Sequence, residues 1–229
     1  MASEVKSEAD RNKARLFLVD DHPVVREGFA QLINYQTDLE VCGQASTAAT
    51  ALESINVLKP DLVIVDISLR GASGLELIKN IRVCHPELPV LALSMHEESL
   101  YAERALRAGA KGYVMKQAPT EDVMKAIRMV LRGQLHLSEK MQSGLLRKFV
   151  TGIPGESVPD VEQLSDRELE VFQLVGLGRP TRQIADELHL SVKTVETYRA
   201  HIKEKLKLRT GTELIHRAVE WVNREQQRP

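Results

Sequence analysis

Residues 16–25 read LFLVDDHPVV: four apolar residues run directly into two adjacent aspartates, Asp20 and Asp21, and then into His22 and Pro23. A short apolar run closed by a helix-opening proline is the pattern of a buried strand, a turn and a helix. The doublet is costly in that place, because two carboxylates ~4 Å apart repel by roughly 4 kcal/mol at an effective dielectric of 20. A cation, a proton or solvent has to offset the repulsion, and the rest of the chain bears on which.

Apolar runs of the same kind recur at residues 62–65, 90–93 and 113–115, with segments of helical period between them. Strands alternating with helices imply parallel βαβ units. Residues 39–43 alternate apolar and polar, as an edge strand does, and belong at the rim of a five-stranded sheet. Helices are predicted to begin after Pro23, near Thr47, after Gly74, near Ser99 and at Thr120, with Gly109 and Gly133 as stop signals.

In a parallel sheet, ligands bind outside the carboxyl ends of the strands, where the strand order reverses. Asp20 and Asp21 end the first strand, Asp66 the third, Ser94 the fourth and Lys116 the fifth, so five polar groups converge on one crevice. Taken singly, each is an ordinary turn former, helix cap or surface residue; all of them in register at strand ends are not. Three carboxylates, a hydroxyl and an ammonium suit Mg²⁺ together with a phosphoryl group. An aspartate attacks phosphorus to form an acyl phosphate, and Asp66 is the candidate nucleophile, since the doublet would be engaged with the ion.

These residues resemble the receiver domain of bacterial response regulators, over about residues 14–135. The resemblance implies a flavodoxin-like sheet of order 2-1-3-4-5, Mg²⁺ held by Asp20, Asp21, Asp66 and the backbone carbonyl of Ser68, and phosphate accepted at Asp66 from a histidine kinase. It also implies that Ser94 bonds the new phosphoryl oxygen, that Tyr113 swings inward, and that Lys116 neutralises charge. Added phosphoryl charge then biases a two-state element made of Ser94, Tyr113 and the helix near residues 99–107.

Residues 138–149 suggest a short helix, followed by a Gly, Pro and Ser-rich linker, so that 136–160 joins the two domains. Beyond it the pattern is purely helical. Ser165 and Glu168 form a capping box, with Leu164 and Leu169 as its hydrophobic staple. Further helices are predicted from about 181 to 188, from Ser191 as N-cap to about 207, and from about 212 to 224. In the third of these four helices Val195, Tyr198, Ile202 and Leu206 face inward, leaving a basic outer face: residues 192–209 carry six basic side chains against two acidic. On its own such a face is more often a solvated surface than a DNA reader.

The run from Leu164 to Leu206 is similar to the LuxR-type DNA-binding domain, over about residues 161–226, and with the receiver makes the whole chain similar to NarL/FixJ-type response regulators. The resemblance implies that the third helix of a small four-helix, helix-turn-helix domain enters the major groove of promoter DNA. Lys193, Arg199, Lys203 and Lys207 would meet phosphates, and Thr194, Glu196, Thr197, Ala200 and His201 base edges. His189 stands where relatives carry glycine. Leu214, Ala218, Trp221 and Val222, along the last helix, are either core or a dimerisation surface. A homodimer would read paired half-sites, and contact with RNA polymerase is a further expectation.

The 229 residues are 43% hydrophobic and 28% charged, with net charge −1, a soluble composition sized for two modest domains. No apolar run is long enough to span a bilayer and the N-terminus lacks the core of a signal peptide, so the expected location is the cytoplasm and no membrane partner is expected. Cys42 and Cys84 are expected as free thiols in the interior. A haloacid-dehalogenase-like phosphatase also uses a strand-end aspartate with Mg²⁺, but needs a second aspartate two residues on, where Ser68 stands. A receiver acting without phosphorylation is argued against by the complete acidic set, so the expectation is a phosphorylation-controlled transcription factor and not an enzyme.

Overall fold

The computed structural model describes residues 13–69, 73–95, 98–139, 141–143 and 161–226. The chain divides between Gln142 and Ser143 into two compact units. The predicted linker at 151–160, and most of the short helix predicted before it, lie outside the described residues.

The first unit alternates β1 (Ala14–Val19), α1 (Pro23–Asn34), β2 (Leu39–Ala45), α2 (Ala48–Leu58), β3 (Leu62–Asp66), α3 (Gly74–Cys84), β4 (Val90–Ser94), α4 (Glu98–Ala108), β5 (Gly112–Met115) and α5 (Thr120–Leu131). The strands form a five-stranded parallel sheet of order β2-β1-β3-β4-β5, with β2 at the rim as its alternation requires. β3 and β4 are buried at every residue, which is why they read as continuous apolar runs. The pairing of β1 with β2 skips Cys42, a bulge that interrupts the alternation. Gly109 and Gly133 adopt φ of +122° and +76° just past α4 and α5, the left-handed stops that glycine tolerates.

Register fixes the site. Val19 pairs with Val65, Asp66 with Leu93, and Ser94 with Met115, so the carboxyl ends of β1, β3, β4 and β5 finish along one edge of the sheet. Pairing continues past α5: His136 bridges to Gly112, donates its N–H to Lys111 O at 3.0 Å and accepts the Tyr113 N–H at 3.1 Å. Residues 136–139 thus lie in the first unit. Cys42 is half-buried, and Cys84 is exposed rather than interior. The buried stripe of α3 ends at Ile81, and Cys84 is the helix's last residue.

The second unit opens with a 3₁₀ turn (Val161–Gln163) and continues through α6 (Asp166–Gly176), α7 (Thr181–Glu187), α8 (Val192–Lys205) and α9 (Gly211–Gln226). The capping box forms as the spacing demands: Ser165 Oγ accepts the Glu168 N–H while Glu168 Oε2 accepts the Ser165 N–H at 2.7 Å. Leu214, Ala218, Trp221 and Val222 are all buried within this unit, and the Trp221 ring tilts against Phe172 with centroids 5.5 Å apart. These four are therefore part of this unit's core. A Cβ at Gly176 would come within 2.5 Å of Ala218 O, so only glycine lets α6 and α9 approach this closely.

Glu168 also ties α6 to α8, accepting from Lys205 Nζ at 2.6 Å. Burial pushes its carboxyl pKa up, but the bonds from Lys205 and Ser165 outweigh that and hold it below its ordinary value. A depressed folded pKa stabilises above the unfolded value and is lost as pH falls through the folded one. Glu168→Gln keeps an acceptor and removes the charge. It is expected to cost about 1 kcal/mol near neutral pH, allowing for the half-exposed lysine, with the difference fading below about pH 4. Urea denaturation at both pH values measures it, and equal midpoints at pH 7 would mean that Lys205 contributes nothing.

Candidate functional site

The β-strand ends deliver what the spacing predicts: Asp20, Asp21, Asp66 and Ser94 are all buried, with Asp66 and Ser94 fully so. Lys116, one residue past β5, donates its backbone N–H to Ser94 O at 2.7 Å, which carries its side chain back over the strand ends. Its Nζ lies 2.7 Å from Asp20 Oδ2 and 2.8 Å from Asp66 Oδ2, with only 4% of the side chain exposed. The other Asp66 oxygen, Oδ1, accepts the Ser68 N–H at 3.1 Å. Asp20 Oδ1 accepts the His22 N–H at 2.8 Å, and the Asp20 carbonyl takes Arg26 Nη1 at 2.6 Å.

Three carboxylates facing one ammonium leave an excess of negative charge that burial makes expensive. Burial accordingly raises the Asp66 pKa, and the Asp20 charge adds to it, against the attraction of Lys116. Burial would lower the Lys116 pKa, but Asp66 and Asp20 hold it above its ordinary value. The donor set fits a hard divalent cation. One oxygen from each of Asp20, Asp21 and Asp66, with a nitrogen of His22, lie within 4.8 Å of one another, near the ~4.2 Å span of opposite ligands around an ion with 2.1 Å bonds.

Lys116→Met, which keeps the aliphatic stem, is expected to cost about 3 kcal/mol at pH 7, because it leaves buried carboxylates uncompensated. The loss should shrink towards acid pH as Asp66 takes up a proton. Urea denaturation reads both, and a change under about 0.5 kcal/mol would mean that the ammonium offsets none of the repulsion.

Tyr113 is buried on β5 and already inward, one residue after the Gly112 bridge to His136. Ser68, just past Asp66, is half-buried. Sequence reasoning missed two residues here. His22 joins the acidic group although only its position beside the doublet signals it. Gly74 lies against the Asp66 backbone, where a Cβ would fall 1.9 Å from Asp66 O.

In the second unit α7 and α8 meet through a turn at His189, whose φ of 53° places it in the left-handed region usually occupied by glycine. Ser191 caps α8, accepting the Thr194 N–H at 3.0 Å. Val195, Ile202 and Leu206 are buried and Tyr198 is half-buried. Outward stand Lys193, Glu196, Thr197, Ala200, His201 and Lys207, all exposed, with Thr194, Arg199 and Lys203 half-buried. Two hydroxyls are already engaged locally: Thr194 Oγ1 with Ser191 Oγ at 2.7 Å, and Thr197 Oγ1 donating to Lys193 O at 3.0 Å. Lys207 takes a φ of 55° past the end of α8, and its N–H donates to Glu204 O.

Two families match this chain: residues 16–128 match "Response regulator receiver domain", and residues 162–218 match "Bacterial regulatory proteins, luxR family". The oxygen regulatory protein NreC of Staphylococcus carnosus is 38% identical over 209 residues, covering 90% of this chain and 96% of that protein. The solved LuxR-family two-component response regulator from Aurantimonas sp. SI85-9A1 is 34% identical over 60% of this chain and 99% of its own, with a TM-score of 0.56. RcsB from Salmonella enterica serovar Typhimurium, solved bound to promoter rprA with the phosphomimetic BeF3⁻, is 25% identical at a TM-score of 0.58, covering 90% of this chain and 98% of that one.

Proposed function

The chain belongs to the two-component response regulators that join a receiver domain to a LuxR-type DNA-binding domain, and on that premise we propose that phosphorylation of Asp66 by a histidine kinase controls how it engages promoter DNA. The family is one of DNA-binding regulators rather than enzymes. The observation that carries the proposal is the convergence of Asp20, Asp21, Asp66 and Lys116 at one sheet edge, with Asp66 fully buried and its pKa raised.

An Asp66 carboxylate oxygen attacks phosphorus. The P–N bond of the donor phosphohistidine breaks as the P–O bond forms, and the imidazole leaves with the electron pair. Lys116, already beside Asp66, turns from the carboxylates to a phosphoryl oxygen, and the Ser94 hydroxyl donates to another. Asp20, Asp21, Asp66 and the Ser68 carbonyl would hold Mg²⁺, which when bound supplies positive charge against the carboxylates and the transferring oxygens. Tyr113 and α4 are the elements that respond. The strap after α5 links them: Tyr113 N–H bonds His136 O, and Glu98, the first residue of α4, accepts the Ser138 N–H at 2.8 Å.

In the second unit α8 docks in the major groove. Lys193, Arg199, Lys203 and Lys207 meet phosphates, Thr194, Glu196, Thr197, Ala200 and His201 face base edges, and two copies read paired half-sites. The protein works in the cytoplasm, where RNA polymerase is a further partner. Among the described residues no helix is long and apolar enough to cross a membrane.

Band-shift titration of the full chain over a range of salt tests this reading. Lys193→Ala and Lys203→Ala should each weaken binding to every duplex and lower the slope of log K against log salt by about 0.9. Phosphodonor with Mg²⁺ should change wild-type affinity for its promoter. Salt-insensitive binding would refute the groove contact, and identical curves with and without phosphodonor would refute the control.

A further inference from the structure

His22 directly follows the acidic pair and is the N-cap of α1, yet its side chain makes no capping bond. Its backbone N–H is spent on Asp20 Oδ1. Its Nδ1 instead stands 2.9 Å from Asp21 Oδ1 and 3.4 Å from Asp20 Oδ1, with 51% of the side chain exposed. Lys116 holds the Oδ2 atoms of Asp20 and Asp66, so the imidazole faces the oxygens that the ammonium does not engage on Asp20. Donor atoms of Asp20, Asp21, His22 and Asp66 fall within one 4.8 Å group.

We propose that His22 Nδ1 is a fourth side-chain ligand at this site for borderline divalent cations such as Co²⁺, Ni²⁺ and Zn²⁺, and that it sets the site's choice between them and Mg²⁺. The inference rests on the reading of the acidic cluster as a divalent-cation site. Neighbouring ligands of an ion with bonds of about 2.1 Å stand about 3 Å apart, and the two Nδ1 distances bracket that value. Three carboxylates offer only hard oxygen, which suits Mg²⁺. An imidazole nitrogen suits Zn²⁺, Ni²⁺ and Co²⁺ and adds little for Mg²⁺. With half its surface in solvent, the ring has room to turn its lone pair from the carboxylates to an ion between them. The site would then load borderline cations in competition with Mg²⁺, at the spot where the phosphoryl group is to be received.

Calorimetric titration of the full chain with Co²⁺ alone and Mg²⁺ alone, on wild type and His22→Ala, gives the ratio of the two affinities. Loss of a partner that merely orients a ligand already costs 10–100-fold in metal affinity. Loss of a ligand should therefore lower the Co²⁺-to-Mg²⁺ ratio by about tenfold or more. Proton NMR of the Co²⁺ complex gives a second readout, a paramagnetically shifted exchangeable imidazole N–H that should be present in wild type and absent in the variant. Thermal melting without metal checks that the variant is folded. An unchanged ratio while both ions bind overturns the inference and leaves the acidic site standing. Equal weakening of both ions also overturns it, since His22 would then only position Asp20 and Asp21. A wild type that binds neither ion overturns the reading of the site and the inference with it.

Discussion

Asp66→Asn takes up no phosphate from a small phosphodonor and Mg²⁺ under conditions where wild type gains one acid-labile group per chain, and at neutral pH it is the more stable protein. The first result follows from the loss of the attacking oxygen's charge at the one of the three carboxylates that is fully buried, Asp66 at 0% exposure against 3% for Asp20 and 5% for Asp21. The second follows from burial. The Asp66 carboxyl sits above its ordinary value of 3.8, so the folded state binds the proton more tightly than the unfolded one. Such a group stabilises fully below the unfolded pKa, and that stability is lost as pH rises through the raised folded value. Asn, shaped like the neutral acid, escapes the loss. Urea midpoints of the two proteins should therefore agree near pH 4 and separate towards pH 7, with wild type the weaker, and Mg²⁺ should narrow the gap by stabilising wild type more. Mass analysis finding phosphate on the variant would move the acceptor elsewhere, and a variant weaker at every pH would mean that Lys116 more than offsets the burial cost.

The strand-end residues were legible because they obey two rules that need no partner: a central parallel strand such as β3 or β4 is buried on both faces, and its last residue reaches the ligand edge. Asp20, Asp66 and Ser94 could be placed from apolar runs alone, and the Ser165 capping box from a three-residue spacing. What resisted reading depends on groups far apart in sequence. Nothing near Lys116 reveals that its ammonium bridges two carboxylates from other strands. Glu168 reads as a cap but not as the partner of Lys205 on another helix. The pairing of His136 with β5 is a single bridge with no periodicity to betray it. The apolar stripe of α9 is the same whether it meets a second copy or, as here, the unit's own α6. His22 carries no such signal either: histidine is not one of the usual N-cap residues, its side chain caps nothing, and only its place beside the doublet points to the site.

Two helix glycines, Gly28 in the middle of α1 and Gly74 at the start of α3, should respond to alanine in opposite directions. At Gly28 in α1 an added Cβ meets nothing within 4 Å. There Gly28→Ala is expected to raise stability by about 0.5–1 kcal/mol, because alanine loses less backbone entropy on folding and favours helix. At Gly74 the added Cβ would stand 1.9 Å from Asp66 O and 2.7 Å from Ile67 Cα, all backbone, with the Gly74 N–H bonded to Ile67 O at 2.8 Å. No rotamer change relieves that overlap, so the start of α3 and the end of β3 must part. Overpacking usually costs 1–3 kcal/mol, and a clash with fixed backbone belongs at or above the top of that range, about 3 kcal/mol or more. The displaced atoms carry Asp66, so the damage is not only to stability: the Gly74→Ala chain that remains folded should bind Mg²⁺ more weakly and take up phosphate more slowly than Gly28→Ala. Urea denaturation and Mg²⁺ titration of both variants measure the contrast. If Gly74→Ala matched Gly28→Ala in stability and in Mg²⁺ affinity, the close approach of α3 to the Asp66 backbone would not be what holds the site together.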